Sequence, residues 1–132
     1  HYVRHVSRPF IFSASISPSN AAAALEALRI LEQEPERVER LWKMADYMRE
    51  GFKSLKIDIG SSETPIIPVM TYDDYKTFYV AKQLLEEGVY VNPVVSPAVN
   101  PGEALLRTSY TATHTTDQLD YALDKFNKVF NG

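Results

Sequence analysis

The sequence predicts an α/β (α+β) domain in which a mainly antiparallel sheet carries helices on one face. Stretches with apolar residues three and four positions apart indicate amphipathic helices. Short runs rich in β-branched residues, bounded by proline or glycine, indicate strands. The order along the chain is helix, helix, strand, strand, helix, strand, strand, helix. Without the first two helices, the remainder resembles a small split α/β sandwich.

Composition limits the classes of function. The chain has 132 residues, enough for one domain with its own core, and a net charge of -3. Its basic residues are spread out, so nothing indicates binding to nucleic acid. It has no cysteine, which excludes a disulfide framework and thiolate chemistry. No apolar run approaches bilayer length, so we expect no stable membrane insertion and a cytoplasmic location.

Residues 1–17 form the first segment. Phe10, Ile11 and Phe12 follow Pro9 with apolar side chains on alternating sides. This pattern predicts a short extended segment that is buried on both faces. One interpretation is a strand or strap that covers the core. The other is a loop whose serines, Ser13 and Ser15, serve a site formed by a larger assembly.

Two helices come next. Ser17 and Pro18 fit an N-cap followed by proline at the first helical position. Glu34-Pro35 ends this helix and starts another. In the second helix an apolar stripe recurs at spacings of three and four, which we interpret as a core-facing side. The stripe consists of Val38, Leu41, Ala45, Met48, Phe52 and Leu55.

The remaining elements alternate between strands and helices. We expect a third helix capped by Asp73 or Asp74, with Gly88 just beyond its end. A last helix should begin with a capping box formed by Thr115 and Gln118. The predicted strands are a short edge strand at residues 57–60, then residues 65–72, 89–95 and a strand containing Leu105–Ser109.

The strand that contains Arg107 is the organising stretch of the chain. Leu105, Arg107, Ser109 and Thr111 share one face of it, so one arginine lies in an otherwise uncharged run. We expect this arginine to be a buried cation, and it then needs a partner, because an unpaired buried charge is costly. The partner is either an Asp or Glu of the same fold, or an anionic ligand such as a carboxylate held by both prongs of the guanidinium.

Other motifs with a recognisable chemistry are missing. The sequence has no GxGxxG, no Walker loop and no nucleophile elbow. His1, His5 and His114 are scattered and do not have the spacing of a metal site. We expect His114 to make a structural hydrogen bond, because it lies just before the capping threonine. The residues alone therefore indicate an α/β domain with one candidate anion-binding arginine.

Five segments in register resemble the C-terminal part of the α-oxoamine synthases. These are pyridoxal-phosphate enzymes of aminotransferase fold type I (class I/II), and they include 8-amino-7-oxononanoate synthase and serine palmitoyltransferase. The resemblance covers nearly the whole chain. The segments are Pro9–Ser15, Glu63–Pro68, Gly88–Pro93, Leu105–Ser109 and Ala112–Thr115.

The resemblance implies a function and roles for three residues. The family are acyltransferases that condense an amino acid with an acyl-CoA with loss of CO₂, using the cofactor as an electron sink. It implies that Arg107 binds the carboxylate of the amino acid. Ser13 or Ser15 would reach the cofactor phosphate of the neighbouring subunit in a homodimer. Some members have a second arginine near the position of Val95, where this sequence departs from the pattern.

The resemblance also implies what this chain does not contain. The lysine that forms the Schiff base lies upstream of the matched region, and none of the seven lysines present has a suitable flank. We therefore interpret residues 18–132 as a C-terminal small domain and residues 1–17 as a strap from the large domain. No catalytic residue is expected in the chain, and no cofactor is expected to bind to it alone. The alternatives are a standalone small-carboxylate-binding or interaction module, and a degenerate partner subunit.

Overall fold

A computed structural model describes residues 1–11 and 15–132 of the chain. By their contacts these residues form two compact units, His1–Pro35 and Glu36–Gly132. Each unit is described by itself below. None of the helices in the described part of the chain is both long and apolar enough to cross a membrane.

The first unit is helical. It contains α1 (Tyr2–Val6), α2 (Arg8–Ile11) and α3 (Pro18–Gln33). The N-cap of α3 is as predicted, because the Ser17 Oγ accepts a hydrogen bond from the Asn20 N–H at 3.3 Å. Along α3 an apolar stripe of three leucines is exposed: Leu25, Leu28 and Leu31.

The predicted extended segment after Pro9 is wrong at its start. Residues Arg8–Ile11 are helical, and the side chain of Phe10 is 61% exposed. Proline is well tolerated in the first turn of a helix, so Pro9 does not prevent this conformation. Three alternating apolar residues are also too few to impose a strand without a partner to pair with. Phe12, Ser13 and Ala14 lie outside the described residues.

The second unit consists of a three-stranded antiparallel sheet and three helices, which confirms the predicted fold class. The strand order is β1-β3-β2, so β3 is the middle strand. The elements are α4 (Glu36–Ser54), β1 (Ile66–Tyr72), α5 (Asp74–Glu86), β2 (Asn92–Val94), β3 (Ala104–Ser109) and α6 (Thr116–Asn131).

The predicted edge strand at residues 57–60 does not form. Lys56 and Gly60 have φ angles of 57° and 59°, so the chain bends directly before this segment and at its last residue. The segment still contacts β1 through one backbone hydrogen bond, from the Met70 N–H to the Asp58 carbonyl at 2.8 Å. β2 is also shorter than predicted, with three residues instead of seven.

The helices cover one face of the sheet. On that face the side chains of Ile67, Val69 and Leu106 are fully buried. They belong to a core that includes Phe52 of α4 and Phe126 of α6, whose rings meet edge to face at 4.9 Å. This packing explains why the apolar stripe predicted for α4 is buried at its centre.

Polar groups on the inner face are satisfied internally. The buried Thr108 hydroxyl donates to the Ile67 carbonyl at 2.8 Å and accepts from the Tyr110 hydroxyl at 2.9 Å. The Thr71 hydroxyl donates to the Ala104 carbonyl at 2.9 Å. Because a buried hydroxyl without a partner is costly, these bonds fix the pairing of β1 with β3.

The capping box of α6 gives a test of the fold. The Thr115 hydroxyl accepts from the Gln118 N–H, and the Gln118 side chain accepts from the Thr115 N–H at 3.0 Å. We expect Thr115→Ala to lower the free energy of unfolding by about 1 kcal/mol, measured by urea denaturation. Thr116→Ala, one position further into the helix, is the control and should change it by less than about 0.5 kcal/mol. Equal losses in the two variants would contradict the role of the cap.

Candidate functional site

Arg107 lies on the outward face of the middle strand. Antiparallel pairing places it directly opposite Pro68 of β1 and Asn92 of β2. Its sequence neighbours Leu106 and Thr108 point to the inner face and are buried. Because side chains alternate along a strand, Arg107 lies on the outward face while both of its sequence neighbours lie on the inner face.

The outward face of the three strands carries a single formal charge. Its other residues are exposed or half-buried and uncharged. They are Ile66, Pro68, Met70, Asn92, Val94, Leu105 and Ser109. None of these residues is negatively charged, so none competes with an anionic ligand for the guanidinium.

The Arg107 side chain is exposed, so the expectation of a buried cation is wrong. The helices of the second unit pack on the inner face, and within residues 36–132 no element covers the outer one. Among the described residues no acid forms an ion pair with Arg107, and no group accepts a hydrogen bond from it. An Asp or Glu of the same fold is therefore not its partner within the described chain.

A free guanidinium on a rigid strand is suited to binding an anion. Its planar fork offers two parallel N–H donors, which match the two oxygens of a carboxylate. The backbone of β3 is held on both sides by antiparallel pairing, so the position of the Arg107 Cα is fixed. The arrangement can orient a small carboxylate above the outward face of the sheet.

Neither of the two alternative phosphate contacts, Ser13 or Ser15, belongs to the unit that carries Arg107. Ser13 lies outside the described residues. Ser15 is exposed and belongs to the first unit. Their assignment stays a prediction.

His114 has the structural role expected from the sequence. Its Nδ1 accepts a hydrogen bond from the Thr111 N–H at 3.2 Å, which closes the turn before α6. A cavity of about 460 Å³ lies beside it, lined by the end of β3, residues 88–91 and α6. Burial raises the pKa of Tyr110 in this wall, so its hydroxyl stays protonated. Arg107 does not line this cavity.

The lysines of the chain lie away from the face that carries Arg107. Six of them lie on α4, α5 or α6, and Lys56 follows α4 directly. None lies on the outward face of the sheet that carries Arg107. No group of metal-ligating side chains occurs in the described part of the chain either.

One neighbour of Arg107 was not recognised from the sequence. Asn92 lies in the apolar run 89–95, which predicted only a strand. Its polar side chain before Pro93 was the available signal, but the sequence does not reveal which residue stands across from it. The register shows that it is Arg107.

Stability separates a ligand-binding arginine from a structural one. We expect Arg107→Lys to change the free energy of unfolding by no more than about 0.5 kcal/mol, because the side chain is exposed and makes no hydrogen bond or ion pair within the described residues. Arg49→Lys is the matched control. Arg49 is 15% exposed and its Nη2 donates to the Thr64 carbonyl at 3.0 Å, so its replacement should cost about 1 kcal/mol or more. A larger loss at Arg107 than at Arg49 would assign Arg107 to the scaffold.

Comparison with known proteins shows which family this chain matches. The aminotransferase class I and II family matches residues 1–126. A serine palmitoyltransferase of Bacteroides ovatus is 46% identical over 130 residues, which are 98% of this chain and 33% of that protein. The 8-amino-7-oxononanoate synthase of Thermosipho melanesiensis is 47% identical over 128 residues, which are 97% of this chain and 33% of that protein. The chain thus spans about a third of the length of these curated relatives.

Solved structures agree with the sequence matches. A high-resolution structure of SPT with a PLP internal aldimine superposes with a TM-score of 0.85 at 35% identity, covering 98% of this chain and 33% of that one. These matches confirm the resemblance to serine palmitoyltransferase and 8-amino-7-oxononanoate synthase that the five segments indicated. The chain belongs to the aminotransferase class I and II family.

Proposed function

We propose that this chain is the C-terminal small domain of a pyridoxal-phosphate-dependent acyltransferase of the α-oxoamine synthase type. The full enzyme would condense an amino acid with an acyl-CoA and release CO₂. The observation that carries the proposal is the free guanidinium of Arg107 on an uncovered, otherwise uncharged sheet face. Residues 1–17 would be the strap from the large domain, and residues 18–132 the small domain.

In this proposal Arg107 binds and orients the amino acid. The guanidinium would hold the carboxylate through two parallel hydrogen bonds. A carboxylate held at a fixed position also fixes the Cα of the amino acid relative to the remainder of the active site. The rigid position of β3 between two paired strands supports this role.

The cofactor would be supplied with its lysine by the remainder of the protein. Bound pyridoxal phosphate provides an electron sink for the carbanion formed at the amino acid. Ser13, or alternatively Ser15, would contact the cofactor phosphate of the neighbouring subunit in a cytoplasmic homodimer. A serine hydroxyl can donate a hydrogen bond to a phosphate oxygen, and Ser15 is exposed.

The first test measures binding of the amino acid. L-Serine is the probe, because a serine palmitoyltransferase is among the relatives. In the full-length protein loaded with pyridoxal phosphate, Arg107→Lys should raise the Kd for L-serine by about tenfold to a hundredfold. Lysine keeps the charge but loses the fork. The Kd is followed by the absorbance of the bound cofactor, and the affinity for acyl-CoA should change much less.

The matched control is Arg40→Lys on α4, an arginine that contacts the His114 carbonyl at 3.4 Å and lies away from the outward face. Its Kd for L-serine should equal that of the unmodified protein. An unchanged Kd in Arg107→Lys, with a normal thermal midpoint, would refute the carboxylate role of Arg107.

The second test concerns the 132-residue chain by itself. Incubated with pyridoxal phosphate and reduced with borohydride, it should give no stoichiometric adduct at a single lysine, since no lysine lies at the candidate site. Mass spectrometry of the digested chain locates any label. One specific, stoichiometric adduct would contradict the proposal and favour a complete cofactor site within this chain.

A further inference from the structure

Asn92 is the nearest polar neighbour of Arg107 on the outward face. The two residues stand directly opposite each other on β2 and β3. In an antiparallel pair such residues have Cβ atoms about 4.5–5.5 Å apart, so their side chains reach the same small volume. On the other side of Arg107 stands Pro68, whose ring offers no hydrogen-bonding group.

Neither side chain of this cross-strand pair is used internally. Within the described residues no hydrogen bond is made by the carboxamide of Asn92, and none by the guanidinium of Arg107. Asn92 is half-buried, so the residue is partly shielded from water. Asn92 and Arg107 together therefore offer hydrogen-bond donors for an anion that no group of the described residues uses.

We propose that Asn92 is the second binding residue of the carboxylate site, with its Nδ2–H₂ donating to a carboxylate oxygen that Arg107 also holds. This inference rests on the proposed function, because it takes the ligand of Arg107 to be the carboxylate of the amino acid. The arrangement pairs one charged fork with one neutral donor. The Asn92 side chain is free to rotate its amide, since no internal bond holds either of its polar atoms.

The hydrogen-bonding capacity of a carboxylate supports a third donor. Its two oxygens provide about four lone-pair sites, and a bidentate arginine uses two of them. The remaining sites face away from the fork, toward the neighbouring strand. Pro68 cannot serve them, whereas the Asn92 amide stands across the pair from Arg107.

The neutral charge of Asn92 also matters. An aspartate at this position would stand opposite Arg107, form an internal ion pair and compete with the ligand. An asparagine of nearly the same shape leaves the net positive charge of the face intact. The site therefore selects a ligand with a single carboxylate over its uncharged amide.

The test compares three variants with two probes in the full-length protein loaded with pyridoxal phosphate. The probes are L-serine and L-serinamide, which differ in the carboxylate alone. Asn92→Ala should raise the Kd for L-serine by about three- to tenfold, the effect of one lost hydrogen bond to a charged group. Asn92→Asp should raise it by about tenfold or more, because two carboxylates then share the site.

Asn92→Asp should leave the Kd for L-serinamide within about threefold, since the amide adds no like charge. Because an aspartate would also pair with Arg107, the direct contact is judged from Asn92→Ala. A merely structural role of Asn92 would weaken both probes equally in Asn92→Ala, whereas a direct contact weakens L-serine more than L-serinamide. Asn127→Ala on α6 is the matched control and should change neither Kd. Thermal midpoints of all variants monitor folding, and Asn92→Asp retains the volume of the side chain if the alanine variant folds poorly.

Two results would overturn the inference. If Arg107→Lys weakens the binding of L-serine but Asn92→Ala and Asn92→Asp do not, Arg107 binds the carboxylate without Asn92. The proposed function then survives. If none of the three weakens L-serine, the carboxylate site itself is wrong and this inference fails with it.

Discussion

The pairing of β3 between two antiparallel strands is the constraint on which the rest of this unit depends. Because the middle strand is bonded on both sides, it cannot slip by one residue without exposing Leu106 and burying Arg107. The buried Thr108 hydroxyl, bonded to the Ile67 carbonyl, fixes the same register from within. The register that buries the core side chains therefore also places the guanidinium on the outward face.

The asymmetry of the sheet gives the site its electrostatic character. Three helices cover the inner face, which contains the apolar core. The outward face has one formal charge and no acid among its strand residues. A guanidinium in such a setting is not neutralised by its own fold, so the favourable partner is a ligand or another part of a larger protein.

The arrangement suits a domain that supplies part of an active site. Relatives in the family are about three times as long as this chain, and the lysines present here lie on helices away from the outward face. In the proposed enzyme, one part would provide the chemistry of the cofactor and this part would fix the carboxylate of the amino acid. A strand held in a sheet is a more rigid support for such a contact than a loop.

The sequence by itself determined the elements whose signals are local. The caps at Ser17, Asp73 and Thr115, the break at Glu34-Pro35 and the positive φ at Gly88 depend on residues within one turn of each other. The five segments that resemble the family were also recognisable from the sequence, because they occur in a fixed order along the chain.

Only the tertiary structure decided what depends on distant neighbours. The sequence showed that Arg107 shares a face with Ser109, but not whether that face is covered, since covering depends on where the helices pack. It could not show that Asn92 stands opposite Arg107, because cross-strand register joins residues 15 positions apart in the chain. The segments 57–60 and 10–11 were mispredicted because short apolar runs take the conformation that their surroundings allow.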